Sequence, residues 1–335
     1  MKAMVLAAGL GTRLKPLTFE IPKPMVPVLD RPVMAHIVGL LGRQGFDELI
    51  ANVHYYPDTI EGYFGDRLTY RFEEELLGTA GGVRNVADFF GDDPVVIVSG
   101  DALTDVDLTA LVERHREAGG IATLTVKKVA DTREYGVVIH DPDGRIQGFQ
   151  EKPDPAEALS DLGNCGIYCF SPEIFDYFPD APFADWAQDV FPALLENDVP
   201  FHIHETDGYW NDVGSLDELR AGTFDALAGR LSLELTGEDR GDGLTVGEGS
   251  ALGDAEISGP VWVGAGCEIG SGARLMGPVV IGDGCRIGDG ASLREAIVFP
   301  GTPVEDGEIL IGAIAGQAAI VDSLRPLDAL AAGRA

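Results

Sequence analysis

Between Val246 and Leu293 the apolar residues recur almost to a clock: Val246, Leu252, Ile257, Val263, Ile269, Leu275, Ile281, Ile287 and Leu293. All but one of these steps is six residues. Six-residue periodicity with frequent glycine predicts a parallel β-helix, in which each hexad forms one side of a triangular coil. A finer period lies on top of it. A glycine follows the apolar residue at 264 and 270, gives way to Met276, returns at 282 and 288, and gives way again to Arg294. Every third hexad departs, so the repeat is eighteen residues, one full coil. Gly259-Pro260-Val261 and Gly277-Pro278-Val279 recur at that spacing, as do Cys267 and Cys285. The two cysteines are therefore expected to stack on adjacent coils, about 4.8 Å apart, as packed thiols rather than a disulfide.

Before the repeats the texture is different. Apolar runs such as Val95-Val96-Ile97-Val98 and Ala122-Thr123-Leu124-Thr125-Val126 read as buried strands, while Pro32 to Gly42 and Leu108 to Ala118 read as helices. Strands alternating with helices predict a Rossmann-like α/β domain with a mainly parallel sheet and helices on both faces, whose ligands bind at the carboxyl ends of the strands. The expected organisation is an α/β domain over 1–229, a linker over 230–243, a β-helix over 244–312 and a tail over 313–335 ending in a capping helix.

Charge narrows the partners. Asp and Glu total 55 against 24 Lys and Arg, a formal charge of −31, which would repel a nucleic acid. An acidic surface suits high salt, and it also fits arginine-for-lysine drift on an ordinary acidic surface. Lysine occupies only six positions, so Lys23 and Lys152, with Arg13, stand out as places where an anion is held. No secretory h-region or membrane-length apolar run occurs, and the four cysteines form no Cys-x-x-Cys pair. A cytoplasmic protein without membrane or nucleic-acid partners is the expectation.

The first strand, Met4-Val5-Leu6, runs into Ala7-Ala8-Gly9-Leu10-Gly11-Thr12-Arg13-Leu14, continuing through Pro16-Leu17-Thr18 to Pro22-Lys23-Pro24-Met25. Glycines let backbone N–H groups approach a ligand, and Arg13 and Lys23 add charge, a combination suited to a polyphosphate. It is no P-loop, for the chain contains no Gly-x4-Gly-Lys-Ser/Thr string. Nor is it the dinucleotide fingerprint, which would need a third glycine where Leu14 stands. Further on, Val98-Ser99-Gly100-Asp101 ends an apolar strand in an aspartate, which reads equally as a turn former or as a metal ligand.

The glycine-loop string resembles the signature of the sugar-1-phosphate nucleotidylyltransferases, and the resemblance extends over nearly the whole chain. It implies transfer of a nucleoside monophosphate from a nucleoside triphosphate to a sugar 1-phosphate, with a left-handed β-helix behind the catalytic domain. Such chemistry needs cations, a metal and in-line geometry rather than a strong base, because the attacking phosphate is already ionised. By resemblance, Leu6, Ala8, Gly9, Gly11 and Thr12 bind substrate, while Arg13, Lys23 and Lys152 are the catalytic cations. Asp101 pairs with Asp212, in Gly208-Tyr209-Trp210-Asn211-Asp212, to hold Mg²⁺, an ion that usually takes one or two protein carboxylates beside phosphates and water.

The segment Gln150-Glu151-Lys152-Pro153 resembles the family's sugar-binding Glu-Lys-Pro, with Glu151 on sugar hydroxyls and Lys152 on the sugar phosphate. Gly136 and Asn164 match segments lining the same pocket. Glu73-Glu74-Glu75-Leu76-Leu77-Gly78-Thr79-Ala80-Gly81 matches the base pocket, with Gly78 against the base and Glu73 at its edge. The Glu-rich lead-in leans toward GTP with mannose 1-phosphate, although related guanylyltransferases often have Pro where Leu76 stands. The alternatives are dTTP or UTP with glucose 1-phosphate, or a silent subunit that senses nucleotide sugars. Hexapeptide acyltransferases share the repeats and commonly use a histidine base. The last histidine here is His204, before the repeats begin, so the β-helix is expected to serve homo-oligomer assembly or regulation.

Overall fold

Four strands, Lys2–Leu6 (β1), Glu48–Val53 (β2), Thr69–Phe72 (β3) and Val95–Ser99 (β4), stand in the order β3-β2-β1-β4 with every neighbour parallel. Parallel strands need crossovers, and Val33–Arg43 (α1) and Pro57–Phe64 (α2) lie in the connections after β1 and β2. In this computed structural model, residues 1–19, 21–317 and 319–322 are described. They belong to two compact units, one of Met1–Leu10 with Met34–Asp212, the other of Gly11–Val33 with the chain from Val213 onward.

The sheet of the first unit continues with Ala122–Lys128 (β5), Gly136–His140 (β6), Ile146–Glu151 (β7), Leu162–Phe170 (β8) and His202–Glu205 (β9). Strand β8 is antiparallel to β4, β5 and β6, and β7 is antiparallel to β6. The sheet is therefore mixed: a parallel core with an antiparallel flank. Residues 129–161 contain no crossover helix, and strands joined by turns run antiparallel. The core gathers Met4, Ile50, Ile97 and Leu124 from the strands, with Phe170, Trp186 and Phe191.

Short Gly78–Arg84 (α3) and the expected Leu108–Ala118 (α4) complete the part that concerns function. Asp107 caps α4 by accepting from Ala110 N at 2.9 Å, and Gly119 ends it at φ 67°. On the buried side of α4, His115 is bonded through its two ring nitrogens to Thr123 Oγ1 (3.0 Å) and Ser171 Oγ (2.9 Å). Burial drives its imidazole down to a pKa of about 4.

In the second unit the repeats form parallel coils. Glu268 lies beside Arg286 and Ile269 beside Ile287, a step of eighteen, and Val261 beside Val279 repeats it. The opening coil steps by seventeen, Val246 beside Val263, because Leu252 to Ile257 is the five-residue interval. Buried Val263, Ile269, Leu275, Ile281, Ile287 and Leu293 fill the interior. Glycine recurs where coils touch: a Cβ on Gly264 would stand 2.6 Å from Asp283 N, and one on Gly270 would stand 2.6 Å from Asp289 N. Cys267 and Cys285 are free buried thiols on neighbouring coils, donating to Gly282 O and Phe299 O at 3.1 Å each.

The boundaries differ from expectation in three places. Within 230–243, Glu238–Gly241 is a strand antiparallel to Leu244–Val246, so part of the linker belongs to the first coil. The parallel ladder passes residue 312, since Ile314 and Ala315 pair with Ile297 and Val298. Ile320–Asp322 then folds back on Ala313–Ala315 as a hairpin; the end of the tail, residues 323–335, where a capping helix is expected, lies outside the described residues. The domain boundary at 229 also gives way, because Gly11–Val33 and the helix Leu216–Leu227 (α5) are built into the second unit. Asp30, whose side chain is 3% exposed, pairs with Arg31 at 2.6 Å and accepts from Thr236 N and Oγ1 at 3.0 and 3.1 Å. Arg220 of α5 donates to Gly312 O at 2.8 Å.

Candidate active site

The glycine loop leaves β1 and changes unit at Leu10–Gly11. Leu6, Ala8 and Gly9 stay with the sheet; Gly11, Thr12, Arg13 and Lys23 belong to the second unit. Within that second unit the loop is folded tightly. Gly11 has φ +60°, and a Cβ there would stand 2.7 Å from Lys23 Cβ, so any side chain would push the two strings apart. Thr18 Oγ1 and Leu14 N donate to Gly11 O at 2.8 and 3.1 Å. Thr12 and Arg13 are exposed, whereas Lys23 is only 8% exposed. The local fold thus joins the two cationic strings of the sequence motif.

At the carboxyl edge of the sheet, Ser99 ends β4 beside Leu6, the end of β1. Gly100 N donates to Leu6 O at 2.8 Å, and a Cβ on Gly100 would stand 2.8 Å from the same oxygen. Glycine alone lets this turn tuck in, and it sets Asp101 at the start of the glycine loop. Asp212 arrives from far along the chain. Trp210 pairs with Thr104 and Asn211 with Leu103, so the antiparallel register brings Asp212 alongside Ala102, one residue from Asp101. Three bonds fasten that approach: Tyr209 N to Asp105 Oδ1 (2.7 Å), Thr104 Oγ1 to Tyr209 O (2.6 Å) and Lys127 Nζ to Gly208 O (2.6 Å). Val213, next to Asp212, sits at φ +43°, a costly conformation for a β-branched residue and one that recurs at functional sites.

Among the described residues no group of three or more His, Cys, Asp or Glu side chains could hold a metal ion. Asp101 and Asp212, the second set alongside Ala102 by the register, are hard oxygen donors of the kind that could hold Mg²⁺, an ion that completes its shell with phosphates and water.

The residues expected at the sugar pocket fall in one row. Glu151 pairs with Gly136 across β7 and β6, and Gly163 pairs with Val137 across β8 and β6, which sets Asn164 level with Gly136. Gly136 leaves room for its neighbour: a Cβ there would stand 3.1 Å from Glu151 Oε2. Asn164 donates to Tyr168 OH at 3.0 Å and accepts from Gly166 N at 3.1 Å. Glu151 and Lys152 are exposed, and Lys152 is held at φ +45° while its N–H bonds Tyr135 O at 3.2 Å.

At the expected base pocket, Gly78 opens α3 at φ +78°, and a Cβ there would collide with Ala184 O. Ala80 N and Gly81 N both donate to that carbonyl at 3.0 Å. Glu73 differs from expectation. It is 2% exposed, and its two oxygens face inward: Oε1 accepts from Asn52 Nδ2 at 2.7 Å and Oε2 from Leu77 N at 3.2 Å. A carboxylate expected at a base edge is instead a buried strut, because the strand end it occupies closes over Asn52. Asn52 itself was not singled out from the sequence. Its signal was a lone amide within the apolar run Leu49-Ile50-Ala51-Asn52-Val53. Asp105 and Thr104, which hold Tyr209, carried no comparable signal.

Residues 2–228 match the nucleotidyl transferase family, and residues 260–295 match six bacterial transferase hexapeptide repeats. A UTP–glucose-1-phosphate uridylyltransferase of Synechocystis is 40% identical over 302 residues, 82% of this chain and 77% of the relative. A mannose-1-phosphate guanylyltransferase of Mycobacterium tuberculosis is 34% identical over 281 residues, with the same two coverages. The crystal structure of a proposed glucose-1-phosphate thymidylyltransferase from Bacillus anthracis, in complex with a sucrose, superposes with a TM-score of 0.62 at 25% identity, covering 70% of this chain and 98% of that one. The chain belongs to the nucleotidyl transferase family.

Proposed function

We propose that this nucleotidyltransferase makes nucleotide sugars, joining the nucleoside monophosphate of a nucleoside triphosphate to a sugar 1-phosphate and releasing pyrophosphate. The observation that carries the reading is the register that draws Asp212 toward Asp101 at the edge of the sheet where the glycine loop begins. An oxygen of the sugar phosphate attacks the α-phosphorus, and the bond to the β-phosphate oxygen breaks. No proton need be removed from the nucleophile. Arg13 and Lys23 are assigned to the triphosphate, and Lys152 to the sugar phosphate, with Glu151, Gly136 and Asn164 orienting the sugar. Asp101 and Asp212 are assigned to Mg²⁺, which when bound would neutralise phosphate charge. Leu6, Ala8, Gly9, Gly11 and Thr12 offer loop backbone to the nucleotide, and Gly78 offers its surface to the base.

GTP with mannose 1-phosphate is supported by the Glu-rich lead-in and by the guanylyltransferase relative. UTP with glucose 1-phosphate is the second reading. It is favoured by the 40% identity to the uridylyltransferase and by Glu73, whose inward-facing oxygens weaken the case for a guanine-reading carboxylate. GTP, UTP and dTTP, each offered with mannose 1-phosphate and glucose 1-phosphate, separate these readings by pyrophosphate release. At least one pair should turn over in Mg²⁺, and no release from any pair contradicts the proposal.

Two further parts of the proposal rest on the fold. Stacked coils end in open faces that solenoids cover with caps or partners, which supports a homo-oligomer through the β-helix; a monomer in light scattering contradicts it. No helix among the described residues is long and apolar enough to cross a membrane. Four free thiols support a reducing, cytoplasmic location; recovery of the native protein outside the cytoplasm in fractionation contradicts it.

A further inference from the structure

A line of buried polar groups crosses the sheet unit from the glycine loop to the expected base turn. Ala7 N donates to Asn52 Oδ1 at 2.9 Å, Asn52 Nδ2 donates to Glu73 Oε1 at 2.7 Å, and Leu77 N donates to Glu73 Oε2 at 3.2 Å. Asn52 is 3% and Glu73 2% exposed, so neither side chain can turn to water instead, while the bond at Leu77 is partly buried. Ala7 follows β1 directly, and Leu77 precedes Gly78 and α3. Two further contacts fix the middle of the line. Glu73 N donates to Val53 O at 2.9 Å, and His54 Nδ1 bonds Glu73 O at 2.8 Å. Gly82 leaves the room required, since a Cβ there would stand 2.7 Å from Asn52 Nδ2 and 2.8 Å from Glu73 Oε1.

We propose that Asn52 and Glu73 are positioning residues for the nucleoside triphosphate, a relay that fixes the glycine loop at Ala7 against the base turn at Leu77. This rests on the proposed function, which assigns the phosphates to the loop and the base to the turn. A triphosphate spans both, so an error in their spacing weakens the whole ligand. The sugar row on β6, β7 and β8 has no member in the relay. Asn52 suits its place because one side chain must accept at one end and donate at the other. Glu73 suits its place because two donors arrive and none leaves.

The chemistry of the pair permits an exchange. Asn52→Asp alone sets two carboxylates face to face. Glu73→Gln alone cannot accept from both Asn52 and Leu77. Asn52→Asp combined with Glu73→Gln restores every bond: the new carboxylate accepts from Ala7 and from the new amide, whose oxygen accepts from Leu77. Initial rates of pyrophosphate release, varied separately in each substrate, test the relay in the full-length protein. Each single variant should raise the KM for the triphosphate about tenfold or more, the scale of one unsatisfied buried group, and leave the KM for the sugar phosphate within about twofold. The double variant should return within about threefold of wild type. Amide hydrogen exchange at Ala7 and Leu77 gives a readout independent of turnover: protection should fall in each single variant and return in the double.

The proposal is overturned if the double variant is no better than the worse single variant in both measurements. It is equally overturned if the single variants raise both KM values together. A double variant that recovers exchange protection but loses a wild-type preference for GTP would make Glu73 a direct reader of the base, which also overturns it. A wild-type protein inactive with every substrate pair contradicts the proposed function instead, while the exchange data still decide whether the relay exists.

Discussion

In the β-helix, a side chain on Gly264 would meet Asp283 N and one on Gly270 would meet Asp289 N, the same collision one hexad apart. In the sheet unit each glycine at the site makes room for a different partner. Gly78 has positive φ and lies against Ala184 O, Gly100 lies against Leu6 O, Gly136 leaves room for Glu151 Oε2, and Gly82 leaves room for Asn52 and Glu73. The repeat solves one packing problem many times. The site solves several problems once each, with partners at no fixed separation in sequence. A substitution in a coil should therefore cost stability and little else, whereas one at the site should change a particular substrate.

Gly78→Ala tests the site side of this contrast and should have the largest effect on folding. Positive φ and the collision with Ala184 O together predict a loss of about 3 kcal/mol in unfolding free energy, measured by chemical denaturation. Any folded protein should show a raised KM for the triphosphate. Gly264→Ala is its counterpart in the coil and should cost about 2 kcal/mol, leaving both KM values of the folded protein at wild-type levels. If Gly264→Ala shifted one KM selectively, the contrast between the units would fail.

Asp30→Ala probes how the cation loop is held. It removes the acceptor of Thr236 N and Oγ1 and the carboxylate beside Arg31, and about 1–3 kcal/mol should be lost in the denaturation of the second unit. An unchanged midpoint would show that the Asp30 bonds do not secure the loop.

A smaller effect depends on pH. His115 is held neutral by burial, with its pKa near 4 against 6.5 when unfolded. The unfolded chain therefore binds the extra proton first. The stabilisation is fully present above pH 6.5 and is lost progressively as pH falls toward 4. Burial shifts His202 and His204 in the same direction, so His115→Gln should flatten part of this slope rather than remove it. Denaturation midpoints between pH 4 and 7.5 measure it, and an unchanged slope in His115→Gln would contradict the assignment. The smallest effect is expected from joint Cys267→Ser and Cys285→Ser, within about 1 kcal/mol of wild type, because two thiol-to-carbonyl contacts become hydroxyl-to-carbonyl contacts.

What could be read from the sequence follows the same division. The hexad period gave the eighteen-residue step of Glu268 to Arg286, and even the seventeen-residue opening coil is written in the interval from Leu252 to Ile257. Asp101 at a strand end, and the row of Asn164, Gly136 and Glu151, could be named because each lies in a short, ordered motif. The antiparallel flank could not, since an apolar strand reads alike in either direction. Nor could the membership of Gly11–Val33 in the second unit, which depends on Asp30 meeting Thr236 across two hundred residues of chain. Glu73 was legible as a residue but not as a role. Its motif says where it lies, while only the fold shows Asn52 and Leu77 occupying its oxygens. Tertiary contacts of this kind leave no local pattern, so motif reading overstates how many site carboxylates face substrate.

The most direct test of the account is whether Asp101 and Asp212 hold one ion between them. Pyrophosphate release should be measured across a Mg²⁺ titration for Asp101→Asn, Asp212→Asn and the double variant, with circular dichroism confirming the fold. The account predicts that each single variant loses about a hundredfold or more in kcat, and that the double variant is no worse than the poorer single, because both changes empty the same site. Near-wild-type turnover in either single variant, or losses that multiply in the double, would contradict it.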